Sequence, residues 1–440
     1  MSTILNDTKL ESNSKIKINF NGGDLSSDSG LLLFKEFGAK FGFQKLIDKI
    51  FKTNDTSNGR LHKDGQNLQQ MVFQTVAGYF TSDTADELTN DPVMTAVLEK
   101  DSLASQPTLS RFINRLDDTT LGQLNEIQKQ MRRIAYSVKM PEFVLLDLDT
   151  TLLDTYGEQE GSDFNYHYQS NGYHPVLCYD GITRDLLKAE LRNGTDYCCK
   201  GAADFLQPLL DEYAREYPDI MLFLRGDSGF ATPELFDQAE TNGVSYAIRL
   251  KSNKRLKSLA EDLDDQLFYN TRSNSVDYAV VYGEFFYQAD SWKYPRRVVC
   301  KVEKPYGQLI HIYTFIVTNM DLEPYKVIQY YCGRGNMENF IKEGKNGFAF
   351  TKVSSAKKIV NANLFQIRIL AYTLFNYFRR MVLPKGMKKQ QIDTIRIKLI
   401  KVASKVVHAS RYVTYKICSH FPYQKEFMET LSNIHELSFS

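Results

Sequence analysis

Phe143-Val144-Leu145-Leu146-Asp147-Leu148-Asp149 is an apolar run that stops on two aspartates two residues apart. It is too short for a buried helix and suits a central strand. Side chains two apart on a strand share a face, so Asp147 and Asp149 look the same way. Asp149 lies nearer the strand end, where a carboxylate can reach a ligand, and is preferred over Asp147 for that reason. Thr150-Thr151 follow directly.

After a loop rich in Gly, Tyr and Asn (156–175), residues 176–180 and 186–191 read as two more strands joined at Gly181. A helix over about 201–217 leads to residues 220–227, again an apolar strand ending in an aspartate, Asp227. Thr232-Pro233 opens a helix, and residues 245–250 are a further strand. Three antiparallel strands followed by helix–strand alternation predict an α/β (mixed α+β) fold with an RNase-H-like mixed sheet. A doubly wound sheet would place a helix after the first strand.

Residues 256–324 differ. Three β-rich runs at 278–287, 296–302 and 309–317 predict an antiparallel meander, with the single tryptophan, Trp292, at one of its turns. Beyond it, Tyr331, Arg334, Glu338 and Lys345 are spaced by three, four and seven, which puts them on one face of a helix. Residues 360–378 form a second long apolar helix. Residues 395–399 alternate with period two ahead of a Val/Tyr-rich run over 402–415, predicting a basic terminal strand pair that carries Arg396 and Lys398.

In the N-terminal part, residues 105–116 read as a turn and a capped helix. Leu109, Phe112, Ile113 and Leu116 face a core, leaving Arg111 and Arg115 outside with other polar side chains. Two readings stand for this helix: a recognition helix contacting phosphates and base edges, or an ordinary amphipathic helix. The division that follows is a mainly helical region at 1–135, DNA-binding on the first of these readings, and an RNase-H-like core at 136–255 and 325–380. A β-rich insertion occupies 256–324 and a basic region 381–440.

The bulk numbers agree with several domains. The chain has 440 residues, 42% of them hydrophobic and 24% charged, too many for one ordinary core. No run of eighteen apolar residues occurs and the N-terminus has no signal pattern, so a cytoplasmic protein without a membrane span is expected, nucleoid-associated when bound to DNA. The six cysteines show no C-x-x-C spacing, which argues for reduced thiols. The net charge of +1 hides an uneven distribution, because residues 379–416 hold eleven Lys/Arg against Asp393 alone.

Asp149, Asp227 and Glu338 are carboxylates at two strand ends and on a helix. Converging, they would hold two divalent ions, with hard oxygen ligands favouring Mg²⁺ or Mn²⁺. This pattern resembles the DDE insertion-sequence transposases of the Y-R-E-K signature group. All four signature positions match at Tyr331, Arg334, Glu338 and Lys345, and Asp149-Thr150-Thr151 matches the group's first-acid context. Asn90-Asp91-Pro92, Ser105-Gln106-Pro107-Thr108 and Gly172-Tyr173-His174-Pro175 look like the thirteen-eighty family of those elements.

The resemblance implies that Asp149, Asp227 and Glu338 are the catalytic metal triad. It implies that Arg334 and Lys345 bind terminal phosphates beside Tyr331. The DNA partners would be terminal inverted repeats and target DNA, brought together by a homodimer. The reaction implied is nicking at an element's end followed by strand transfer. Trp292 has two readings, a base-stacking residue or a packed hairpin residue. The alternatives for the whole chain are a domesticated, catalytically inactive DNA-binding protein and a stand-alone metal-dependent nuclease of the same fold.

Overall fold

The strand expected from the opening run is β1, Phe143–Thr150, with Val144, Leu145, Leu146 and Leu148 all buried. The computed structural model describes residues 7–57, 59–274, 278–308 and 310–439. A strand covered on both faces needs apolar side chains on both, which is why this one reads as a continuous apolar run. Strands β2 (Val176–Asp180), β3 (Leu186–Glu190), β4 (Met221–Gly226) and β5 (Ser245–Leu250) complete the core sheet. β1 pairs antiparallel with β2 and parallel with β4, and β4 pairs parallel with β5. The spatial order β3-β2-β1-β4-β5 is the RNase-H-like arrangement.

Helix α1, Ala202–Glu216, connects β3 to β4, and α2, Pro233–Thr241, connects β4 to β5. Proline opens α2 where no backbone N–H is needed, and the Thr232 hydroxyl caps it by accepting from Leu235 N. Both helices bury an apolar stripe, Leu206, Leu209 and Leu210 on α1 and Leu235 and Phe236 on α2.

The meander forms as β6 (Ala279–Tyr287), β7 (Arg296–Lys304) and β8 (Ile312–Thr318). Leu309, where the third run begins in the sequence, lies outside the described residues. The meander is no separate sheet: β8 pairs antiparallel with β5, and the eight strands are continuous in the order β6-β7-β8-β5-β4-β1-β2-β3. The Gly/Tyr/Asn-rich loop and the residues just before it hold a small three-stranded sheet of their own, built from Leu153–Asp154, Asp163–Asn165 and Ser170–Tyr173.

The chain divides into two compact units, one of residues 139–345 with 350–365, the other of residues 1–138, 346–349 and 366–440. The first contains the eight-stranded sheet. The second is mainly helical and draws on both ends of the chain, so segments read from the sequence as distinct terminal regions share one core. In it Phe34 stacks on Phe378 at 4.0 Å. A Cβ on Gly30 would sit 1.7 Å from the Leu399 carbonyl oxygen, so only glycine permits that approach. Among the described residues no helix is long and apolar enough to cross a membrane.

The terminal strand pair is displaced from its expected place. Residues 396–400 form a π-helical turn, and the pair is Ser404–His408 with Val413–Ile417. The period-two alternation misled because Arg396 is an internal residue, 7% exposed. Its guanidinium donates to the carbonyls of Val76 and Thr75, both at 2.8 Å, and pairs with Asp393 at 2.7 Å. Arg396 is therefore not a DNA-facing side chain. Lys398 is half-buried, with its ammonium 5.3 Å from the Tyr423 ring centre.

Candidate active site

Asp149 lies at the last but one position of β1, and Asp227 lies just past the end of β4. The two strands are parallel neighbours, so their C-terminal ends open on the same edge of the sheet. Asp227 caps the short turn Ser228–Phe230, with Oδ1 accepting from Gly229 N at 2.8 Å. Glu338 lies in the first turn of α4, Asn336–Gly347, and is exposed.

The Tyr331–Lys345 stripe does not lie on one unbroken helix. Tyr331 is the last residue but one of helix α3, Pro324–Cys332, a 3₁₀ turn runs over Gly333–Gly335, and α4 begins at Asn336. An α-helix would direct the Tyr330 carbonyl to the amide of Arg334. Here that carbonyl accepts from Arg225 Nη1 at 2.7 Å instead. Glycine beside it leaves room for this contact, since a Cβ on Gly333 would come within 2.8 Å of Arg225 Nη1 and displace the guanidinium. The tighter turn keeps Tyr331 and Arg334 on one side, because residues three apart eclipse in a 3₁₀ turn.

Arg225 also decides between the two aspartates of β1. It is the cross-strand neighbour of Asp147 and grips both its oxygens, Nε–Oδ1 at 2.6 Å and Nη2–Oδ2 at 2.7 Å. The side chains are 1% and 4% exposed, so Asp147 is sealed in a bidentate buried pair. Asp149 is 16% exposed and is met by Arg334, Nη2 to Oδ2 at 3.1 Å. Arg334 Nη2 also reaches the Leu148 carbonyl at 3.3 Å, while its buried Nε has no partner.

The electrostatics show which groups share this space. Burial pushes the Asp149 carboxyl up to about 6, Arg334 opposes that, and the Asp227 and Glu338 carboxylates push it further up. Burial lowers the proton affinity of Arg334, but Asp149 and Asp227 outweigh it and hold the guanidinium above its ordinary value. Burial raises the Tyr331 phenol, with Arg334 and Arg249 pulling the other way. Tyr331 packs on a cluster of Ala247, Val299, Ile316, Val327 and Ile328. Its place is thus the sheet face beneath the turn that carries Arg334.

Lys345 stands apart from the acids. Seven residues from Glu338, it is about 10.5 Å further along α4. Burial lowers its ammonium, and the charge that offsets this is Asp154.

Sequence reasoning passed over Tyr168. Its hydroxyl lies 3.5 Å from the Thr150 carbonyl oxygen, and burial together with the Asp149 charge pushes its phenol up to about 12. On the same side Thr150 Oγ1 meets Cys198 Sγ at 3.5 Å. The only signal in the sequence was an aromatic-rich loop following the first acid.

The remaining expected residues lie elsewhere. Trp292 is 6% exposed, edge-on to Phe236 at 5.3 Å and Tyr287 at 5.4 Å, with the Arg296 guanidinium 5.6 Å from its ring. It is a packed residue rather than an open stacking surface. Arg111 and Arg115 follow Leu109 and Phe112, the buried side of helix Gln106–Ile113. Arg111 is exposed, whereas Arg115 pairs with Asp55 at 3.3 Å and Asp64 at 3.2 Å.

Asp149, Asp227 and Glu338 offer only hard anionic oxygen, the donor chemistry of Mg²⁺ or Mn²⁺, and their mutual repulsion is of the kind a cation relieves. Arg334 now supplies that positive charge. Among the described residues no three His, Cys, Asp or Glu side chains are close enough together to hold a metal ion.

A family model described as Transposase DDE domain group 1 matches residues 8–439. A cryo-EM structure of a piggyBac transposase synaptic complex with hairpin DNA is similar at a TM-score of 0.41 and 15% identity, covering 85% of this chain and 79% of that one. No curated protein matches the chain.

Proposed function

The chain belongs to the Transposase DDE domain group 1 family, and from that premise we propose that it cuts DNA at the ends of an insertion sequence and transfers the freed strand. Within that family we assign it to the Y-R-E-K group, thirteen-eighty family, on Tyr331, Arg334, Glu338 and Lys345. The observation that carries the reading is geometric: Asp149 and Asp227 stand at the same ends of two parallel neighbouring strands, and Arg334 meets Asp149 at 3.1 Å. Burial does most to raise the Asp149 carboxyl, and the Asp227 and Glu338 charges add to it, a grouping of acids that serves no packing purpose.

In this reading Asp149, Asp227 and Glu338 would hold two Mg²⁺ or Mn²⁺ ions. When bound, the ions supply charge stabilisation for the attacking and leaving oxygens of an in-line displacement. The chain's own residues do the positioning. Arg334, fixed between Asp149 and the Leu148 carbonyl, presents a guanidinium whose fork suits a phosphate. Tyr331 holds the turn against the sheet so that this guanidinium keeps its place. Lys345, further along α4, meets a phosphate outside the reacting centre as a point charge. Asp147 and Arg225 position the site from below without touching substrate.

Arg111, at the exposed face of helix Gln106–Ile113, is assigned to DNA contact, as are exposed Lys405, Arg411 and Lys416 in the basic C-terminal stretch. Pairing two ends calls for two copies of the chain, so the working assembly on DNA is a homodimer.

The test incubates the chain with duplex DNA bearing the inverted repeats that flank its coding segment, with Mg²⁺, and scores cleavage and joining. Glu338→Gln is expected to abolish both while leaving DNA affinity within twofold. Unimpaired cleavage by Glu338→Gln sinks the triad. Binding without cleavage by the wild type marks a domesticated binding protein, and cleavage without preference for the ends marks a nuclease.

A further inference from the structure

We infer that Tyr168 is a further substrate-contacting residue, its phenol donating a hydrogen bond to a non-bridging oxygen of the scissile phosphate. The inference rests on the phosphodiester-cleavage reading of the Asp149 site and adds a neutral donor to it.

The ring is held firmly. Asn165, 7% exposed, donates to the Gly194 carbonyl at 2.7 Å. Its Oδ1 accepts from the backbone amides of His167 at 3.0 Å and Tyr168 at 3.2 Å. This Asx-type turn fixes the backbone that carries Tyr168. The ring then meets His167 edge-on at 4.8 Å and His174 at 5.7 Å. His174 is itself tied by Nδ1 to the Asp196 carbonyl at 2.6 Å.

The hydroxyl, by contrast, is held loosely. Its contact with the Thr150 carbonyl is 3.5 Å, well beyond the roughly 2.7–2.8 Å usual for an O–H donor. Thr150 directly follows Asp149, and the phenol lies within electrostatic reach of both Asp149 and Asp227. Tyr168 as a whole is 39% exposed, so the residue stands at the surface rather than in the core. A fixed ring with an under-used donor at the residue that follows Asp149 has the form of a preorganised hydrogen-bond donor. A neutral donor at this place stabilises charge building on the phosphate without adding a formal charge that the carboxylates would quench.

Tyr166 provides the internal control. It lies in the same loop, is 81% exposed, and packs edge-on to Phe164 at 5.3 Å.

The test uses the full chain, end-bearing DNA and Mg²⁺. Tyr168→Phe is expected to lower the cleavage rate by about ten- to a hundredfold, at or below the loss typical of one oxyanion donor, with DNA affinity unchanged. Tyr166→Phe cuts like the wild type. The decisive readout is a phosphorothioate at the scissile position, where sulfur is the poorer acceptor. One diastereomer slows the wild type, and in Tyr168→Phe that same diastereomer costs at least fivefold less, because the bond it weakens is already gone. Since each protein is compared with itself on two substrates, a reduced folded fraction cancels from the ratio. Wild-type rates from Tyr168→Phe, or equal thio penalties in both proteins, overturn the inference alone. A wild-type chain that cuts no end-bearing DNA overturns the reading of the site and the inference with it.

Discussion

Asp147 and Asp149 stand two residues apart on one strand, yet replacing them is expected to move stability in opposite directions. Asp147→Ala leaves the Arg225 guanidinium buried at 4% exposure without its bidentate partner. Breaking such a pair from one side costs about 3–5 kcal/mol. For the unit of residues 139–345 and 350–365 that contains both aspartates, a fall in melting temperature of about 6–20 °C follows at about 2–4 °C per kcal/mol. Asp149→Asn instead removes a charge that the fold disfavours. The carboxyl rises from 3.8 to about 6, which at about 1.4 kcal/mol per pH unit comes to about 3 kcal/mol.

The direction follows from proton binding. A carboxyl raised in the folded state binds its proton more tightly there, so its contribution to stability is full below pH 3.8 and is lost as the pH rises through about 6. Above that pH the wild type carries the whole penalty, and Asp149→Asn is expected to be more stable by up to about 3 kcal/mol. Calorimetry in metal-free buffer, run from pH 4 to 8, checks both halves. The wild type should lose stability across this range relative to Asp149→Asn, and Asp147→Ala should melt far below both. Cleavage should vanish in Asp149→Asn despite its higher melting temperature. Asp147→Ala melting with the wild type, or Asp149→Asn being less stable than the wild type at pH 8, would refute these assignments.

Two further outcomes concern residues whose expected DNA roles did not survive the structure. Arg396→Met should lower stability by about 3 kcal/mol or more, because buried carbonyls lose their donor. Lys398→Ala should leave the melting temperature unchanged, and a stable Arg396→Met with weakened DNA affinity would restore the surface reading. Trp292→Ala should cost about 3–5 kcal/mol, as expected for emptying a buried indole site. Trp292→Phe should regain most of that and cut end-bearing DNA normally. A large loss of cleavage in a stably folded Trp292→Phe would reinstate a stacking role.

Much of the core sheet was legible because its strands are buried on both faces. The runs ending at Asp149 and Asp227 are apolar without alternation, and turns or capping residues mark the helices between them. Ser245–Leu250 was placed to the residue. Legibility fell where a local pattern has two physical causes. At 395–399 alternation reflected an arginine turned inward to backbone carbonyls, which no local pattern separates from a strand. At 331–345 helical spacing was right in outline, but the 3₁₀ turn depends on Arg225, more than a hundred residues away.

The sequence by itself determined the residue types and their order: acids at two strand ends, a polar stripe after a meander, and an RNase-H-like strand plan. These are local, since periodicity and termini are fixed by neighbours along the chain. Only the tertiary structure decided which aspartate is sealed and which is open, that the meander extends the core sheet, that Trp292 is packed, and that Tyr168 stands beside Asp149. Each of those depends on a partner remote in sequence: Arg225 for Asp147, β5 for β8, Phe236 for Trp292, and Thr150 for Tyr168.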